Sequence, residues 1–208
     1  MDFFFATIFS LFSIVDPPGA VPVYVALTSG RPREERNKIA LKTSLYFLLS
    51  LVSFFLAGNY ILSFFGLTLH ALRIAGGIAL LINGFALMSG DFANKSGYDK
   101  TVEQETQTRN DIAFSPMAMP MLSGPGSISY LIAQFNHHSS ITERLTIMAS
   151  ILAVAVMVWG ILRLAPFLFR VFGTGGLNAI ARIMGFIVIA IGVQFIVDGV
   201  VHLVMETK

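Results

Sequence analysis

The chain contains no cysteine, which excludes disulfides, thiol catalysis and cysteine-held iron–sulfur clusters. Charge is scarce too. There are 14 Lys or Arg and 12 Asp or Glu in 208 residues, or 12%, where a soluble domain carries about 25%. Fifteen of these charges fall in two short stretches, 31–42 and 91–111. The rest is too poor in charge to cover the surface of a soluble domain, so that class is excluded. The net charge of +2, with no dense basic face beyond one loop, excludes a nucleic-acid partner. No phosphate-cradling glycine loop is present. No stretch alternates with period two, which excludes a membrane β-barrel.

What the chain has in abundance is apolar sequence: 55% hydrophobic residues and a mean hydropathy of +0.74. A membrane-crossing helix needs about 20 mostly apolar residues. The charge-free stretches predict six spans, at roughly 3–28, 42–65, 71–89, 112–135, 145–169 and 180–204. The start, Met1-Asp2-Phe3, has no basic region of the kind a cleaved signal peptide carries. Six spans place both termini on one side. Arg31, Arg33, Arg36, Lys38, Lys42, Lys95, Lys100, Arg109, Arg163, Arg170 and Arg182 then share the other side. Only Arg73, Arg144 and Lys208 lie with the termini. The positive-inside rule makes the richer side cytoplasmic, so both termini are expected to be periplasmic or external.

The chain also repeats itself. Pro18-Gly19 answers Pro125-Gly126, Glu35-Arg36 answers Glu143-Arg144, and Phe65-Gly66 answers Phe172-Gly173. Arg73-Ile74 with Gly76 answers Arg182-Ile183 with Gly185. Gly76, Asn83 and Gly90 align with Gly185, Gly192 and Gly199, a heptad stripe of small residues suited to close helix packing. Repeats of three spans enter the membrane from opposite sides, as in many secondary transporters. The expected architecture is all-α, one transmembrane domain over 1–208. Repeat one covers about 1–90 and repeat two about 112–208, joined by a polar cytoplasmic linker at 91–111.

Spans one and four carry breaks. Asp16-Pro17-Pro18-Gly19 and Ser123-Gly124-Pro125-Gly126-Ser127 each combine proline, which removes a backbone donor, with glycine, which relaxes the chain. Each break falls near the midplane if its span begins in the headgroup region. Polar backbone there must be buried in protein or line a wet cavity. Asp16 before Pro17 reads as a helix cap, and Ser123 as its counterpart. Two half-helix N-termini pointing inward would form a site for a small carboxylate. Asp16 is the one deep acid, a functional candidate for a substrate ammonium or a coupling ion, H+ or Na+. Asn83, Gln194 and Asp198 are secondary candidates. Arg73 and Arg182, at helix starts, are expected to snorkel to headgroups. His70, His137 and His138 fall in outward loops and His202 near the outer interface; no pair has metal-ligand spacing within a span, so no metal or other cofactor is expected.

At these residues the chain resembles a known family. Asp16-Pro17-Pro18-Gly19-Ala20-Val21-Pro22 resembles the N/D-P-x-G-x-x-P motif of the MarC family of bacterial and archaeal membrane proteins, in which many members carry asparagine where Asp16 stands. Residues 113–128, AFSPMAMPMLSGPGSI, resemble its second motif, and the Arg73 and Arg182 segments resemble its repeated pattern. The resemblance implies a six-span inner-membrane protein related to LysE-type exporters. Some members of that family are described as small neutral amino acid transporters. The expected function is secondary transport of small solutes, most fittingly small neutral amino acids, by alternating access around the two breaks. A passive channel or membrane scaffold is the alternative. An enzyme is not expected, because no histidine shares the depth of Ser123 or Ser127 and no second acid shares that of Asp16. The expected partners are a small-molecule substrate and the lipid bilayer, with the oligomeric state open.

Overall fold

A computed structural model describes residues 2–89 and 112–206. The linker at 91–111, with Lys95, Lys100 and Arg109, and Gly90 of the heptad stripe lie outside the described residues. All regular structure described is helical. Helices α1 (Asp2–Val15) and α2 (Pro17–Leu27) meet at a 41° bend, and α3 (Arg33–Phe65) and α4 (Leu69–Ser89) follow. After a wide-turned coil, π1 (Ala113–Leu122), comes α5 (Pro125–His137). The run Ile141–Glu206 turns at Gly173 into α6 (Ile141–Gly173) and α7 (Gly175–Met205). Four stretches are long and apolar enough to cross a membrane: Arg33–Gly58 of α3, α4, α6 and α7. The bent pair α1 and α2 makes a fifth if it is one span.

Local chemistry explains the boundaries. Helix α3 begins at Arg33, well before the apolar run, because Glu34 and Glu35 in its first turn complement the positive end of the helix. It ends at Gly66, which adopts the left-handed conformation (φ 64°) while Leu67 N–H donates to the Leu62 carbonyl at 2.9 Å. Gly173, the repeat counterpart of Gly66, also has positive φ (61°, with ψ −176°), a conformation essentially confined to glycine. In π1, Ser115 and Met119 are extended, the conformation favoured before proline. The turns are accordingly wide, and Ser123 N–H reaches back to the Ala118 carbonyl at 2.8 Å.

The core draws buried residues from α1, α2, α3, π1, α5 and α6. Phe47, Leu51 and Phe55 of α3 are buried with Ile147, Ile151, Val154, Val158 and Leu162 of α6, one face of each helix. Ser44 Oγ ties the pair by donating to the Ala155 carbonyl at 2.7 Å. On the opposite faces Leu41, Leu45, Leu49, Leu56, Phe64, Leu152, Val156, Leu164 and Phe167 are exposed. So much large apolar surface facing outward suits lipid, not water.

The small-residue stripe packs α7 on α4, as expected, but in a shifted register on α4. The α4 partners are Gly77 and Gly84, facing Gly192 and Gly185. Gly76 instead meets Ser129 of α5, and Asn83 is half-buried to one side. Gly199 sits against Ile74 and the His70 carbonyl.

Candidate functional site

The first break opens at Asp16, whose backbone is left-handed (φ 45°, ψ 63°). It occupies the cap position of α2, but its side chain makes no cap hydrogen bond. A cap accepts from the N–H of the second or third helical residue; Pro18, the second, has none, which leaves only the Gly19 N–H. The carboxylate lies against Gly19, where any Cβ would collide with it. Asp16 is 4% exposed, and its carboxylate has no partner beyond the close-lying Gly19 backbone.

The second break differs in one detail from the expected pattern. The cap of α5 is Gly124, not Ser123, with Pro125 at the first helical position. Ser127 Oγ donates to the Gly124 carbonyl at 2.9 Å, and Ile128 N–H does so at 3.2 Å. Ser123 stands one residue earlier because the Ala118 bond has already turned the chain there. Its hydroxyl is buried, at 1% exposure, and has no hydrogen-bond partner. The two breaks are neighbours through Gly126: a Cβ there would lie 3.7 Å from Ile14 Cγ2 and would overlap the Leu80 side chain. The start of α5 therefore packs beside the end of α1, two residues before Asp16.

A cavity of about 370 Å³, mostly apolar in its walls but carrying several polar side chains, is lined by the start of α1 and α4 and the later turns of α5 and α7. None of the break residues lines it. It reaches Tyr130 on α5, about 6 Å along the helix from Gly126, and Ser10 on α1, about 9 Å from Asp16, at 1.5 Å per residue. Arg73 and Asp198, of opposite charge, both line it with Gln194 and Gln134. Gln194 Nε2 donates to Asp198 Oδ1 at 2.8 Å, and Gln134 Nε2 donates to the Tyr130 hydroxyl at 2.9 Å. The Tyr130 ring stacks on Phe195, with centroids 5.9 Å apart.

The secondary candidates Gln194 and Asp198 thus reach the cavity, whereas Asn83 does not line it. Arg73 does not snorkel. It is 4% exposed and lines the cavity, because Gly199 lets α7 close over it. Its repeat counterpart Arg182 is exposed. His137 belongs to the last turn of α5 and lines the cavity too. Thr7, Ser10, Tyr130 and Gln134 were not singled out by sequence reasoning. A signal was there: Thr7 and Ser10, Tyr130, Gln134 and His137, and Gln194 and Asp198 each recur at spacings of three or four, one polar face on an otherwise apolar helix. Among the described residues no group of three or more metal-ligating side chains gathers.

Long apolar helices around a charged cavity, with two broken segments beside it, define a polytopic helical membrane protein. The profile of MarC family integral membrane proteins matches residues 1–204. The chain is 37% identical over 201 residues to the UPF0056 membrane protein YhcE of Escherichia coli strain K12, covering 95% of this chain and 91% of the relative. It is 38% identical to a UPF0056 membrane protein of Methanocaldococcus jannaschii (96% and 97% covered). It is also 32% identical to the UPF0056 inner membrane protein MarC of Citrobacter koseri (93% and 92% covered). The chain belongs to the MarC family. No solved structure matches it.

Proposed function

We propose that this protein is a secondary transporter of small zwitterionic solutes, with small neutral amino acids the fitting class. The observation that carries the reading is that Arg73 and Asp198, of opposite charge, both line one cavity of an apolar bundle. A free amino acid carries one charge of each sign, and a charged group inside a membrane segment marks a substrate or ion path by default. The volume is at the small end of the range for small-molecule sites, about 300–1,000 Å³.

In this reading the cavity is a vestibule and the closed breaks below it are the central site. The start of α5 has no side-chain cap, so its N–H groups and the Ser123 hydroxyl are free to meet a carboxylate. The start of α2 is already faced by Asp16, so that side suits an ammonium, a proton or Na+. Six spans in two inverted repeats, a seat in the inner membrane with both termini outside, and alternating access by one repeat moving against the other complete the proposal. Close glycine packing of α4 on α7 would join the repeats across their boundary.

Uptake and counterflow in proteoliposomes with a panel of labelled amino acids tests it. Accumulation against a gradient supports a transporter. Flux that only follows the gradient supports the competing channel reading, and no flux of any panel member overturns the substrate class.

A further inference from the structure

A second pocket, of about 290 Å³, lies at the opposite end of the bundle from the cavity, where α2, α3 and α6 meet. Four arginines line it: Arg33 and Arg36 from the first turns of α3, and Arg163 and Arg170, seven residues apart on one face of α6. Among the described residues no acidic side chain lines it. The nearby Arg31 is paired with Glu35, and among the described residues none of the four is in an ion pair. The wall is fixed, because the Tyr24 hydroxyl donates to the Arg36 carbonyl at 2.6 Å. Arginine forks match phosphoryl oxygens in pairs. The flank of the pocket is apolar, with Phe167 exposed beside it.

We infer that this pocket binds the phosphoryl group of an anionic ligand, and that its apolar flank suits it to the headgroup of an acidic membrane phospholipid. Four guanidiniums with no counter-charge among the described residues repel one another in one cleft, and an anion relieves that repulsion. Acyl chains from a bound lipid would run along the exposed apolar face of α6. Basic pockets between membrane helices are suited to such headgroups.

Trp159, the single tryptophan, reports on the site, because the Arg163 guanidinium lies 5.1 Å from the centre of its ring. The full-length protein is placed in phosphatidylcholine nanodiscs and titrated with brominated phosphatidylglycerol, brominated phosphatidylcholine or inorganic phosphate. Brominated phosphatidylglycerol should quench Trp159 at about tenfold lower mole fraction than brominated phosphatidylcholine. Arg163→Gln with Arg170→Gln should abolish that preference, while Arg163→Lys with Arg170→Lys should keep most of it. A saturable response to phosphate, lost in the glutamine variant, would support the same site with a soluble ligand. Should the glutamine variant fail to fold, the wild-type preference must still fall as salt rises to about 1 M. Equal quenching by both lipids with no phosphate response, or a preference indifferent to salt and to the arginines, overturns the inference.

Discussion

Gly84 of α4 and Gly185 of α7 approach each other reciprocally: a Cβ on either would lie 2.8 Å from the carbonyl oxygen of the other. One turn-pair along, a Cβ on Gly77 would lie 2.6 Å from the Gly192 carbonyl. The two backbones are in contact, so any side chain must part the helices. Gly84→Leu or Gly185→Leu should therefore destabilise the protein by about 1–3 kcal/mol. Gly160→Ala is the control. It lies in α6, where an added Cβ meets nothing within 4 Å, and it should be neutral or raise stability by up to about 1 kcal/mol, because alanine is the better helix former. Reversible unfolding in mixed detergent micelles measures both.

The register of this contact shows where sequence reading stops. Spacing alone located a small-residue stripe and its role, because glycine at heptad intervals has few other uses in apolar helices. It did not reveal that α4 would offer Gly77 and Gly84 while Gly76 turned to Ser129, since two adjacent glycines leave the facing side open. Four of the apolar spans and the bent pair α1 and α2 were legible because hydropathy sets them; the start of α3 at Arg33 was not, because its first turns are polar. The breaks were legible because proline and glycine leave few choices. The cavity was not, because its residues come from four helices and meet only in the folded bundle.

Arg73→Gln should reduce uptake of amino acids about tenfold or more, the value of losing a charged hydrogen bond. Arg73→Lys should restore part of it. Asp198→Asn should weaken uptake less, because the Gln194 hydrogen bond to the side-chain oxygen survives. Counterflow rates with each variant, normalised to folded protein, decide this. Equal rates in wild type and Arg73→Gln would remove the cavity from the transport path.

The breaks should separate stability from transport. The Ser123 hydroxyl has no partner, and the Asp16 carboxylate has only the Gly19 backbone, which an asparagine oxygen can still accept from, so neither substitution deletes a hydrogen bond. Asp16→Asn and Ser123→Ala should leave stability within about 0.5 kcal/mol of wild type, or raise it, while transport falls. Ser44→Ala should do the reverse, losing about 1 kcal/mol with the bond to Ala155 and sparing transport. Gly126→Leu is a poor probe, because it overlaps Leu80 and would disturb packing together with the site. Thermal unfolding and uptake on the same preparations check the contrast. Large stability losses in Asp16→Asn would mean that the carboxylate serves the fold.

The charge distribution fixes the expected orientation. The cavity is lined by the first turns of α1 and α4 and the later turns of α5 and α7, so it opens at the end of the bundle that holds the termini. The arginine pocket lies at the other end, at the first turns of α3. Basic residues are retained on the cytoplasmic side during insertion, so the arginine pocket should face the cytoplasm and the cavity the exterior. A C-terminal alkaline phosphatase fusion should then be active and a C-terminal green fluorescent protein fusion dark. A bright fluorescent fusion would reverse the bundle. The cavity would then open to the cytoplasm, and the substrate would reach Arg73 and Asp198 from inside the cell, so the resting state would be poised for export.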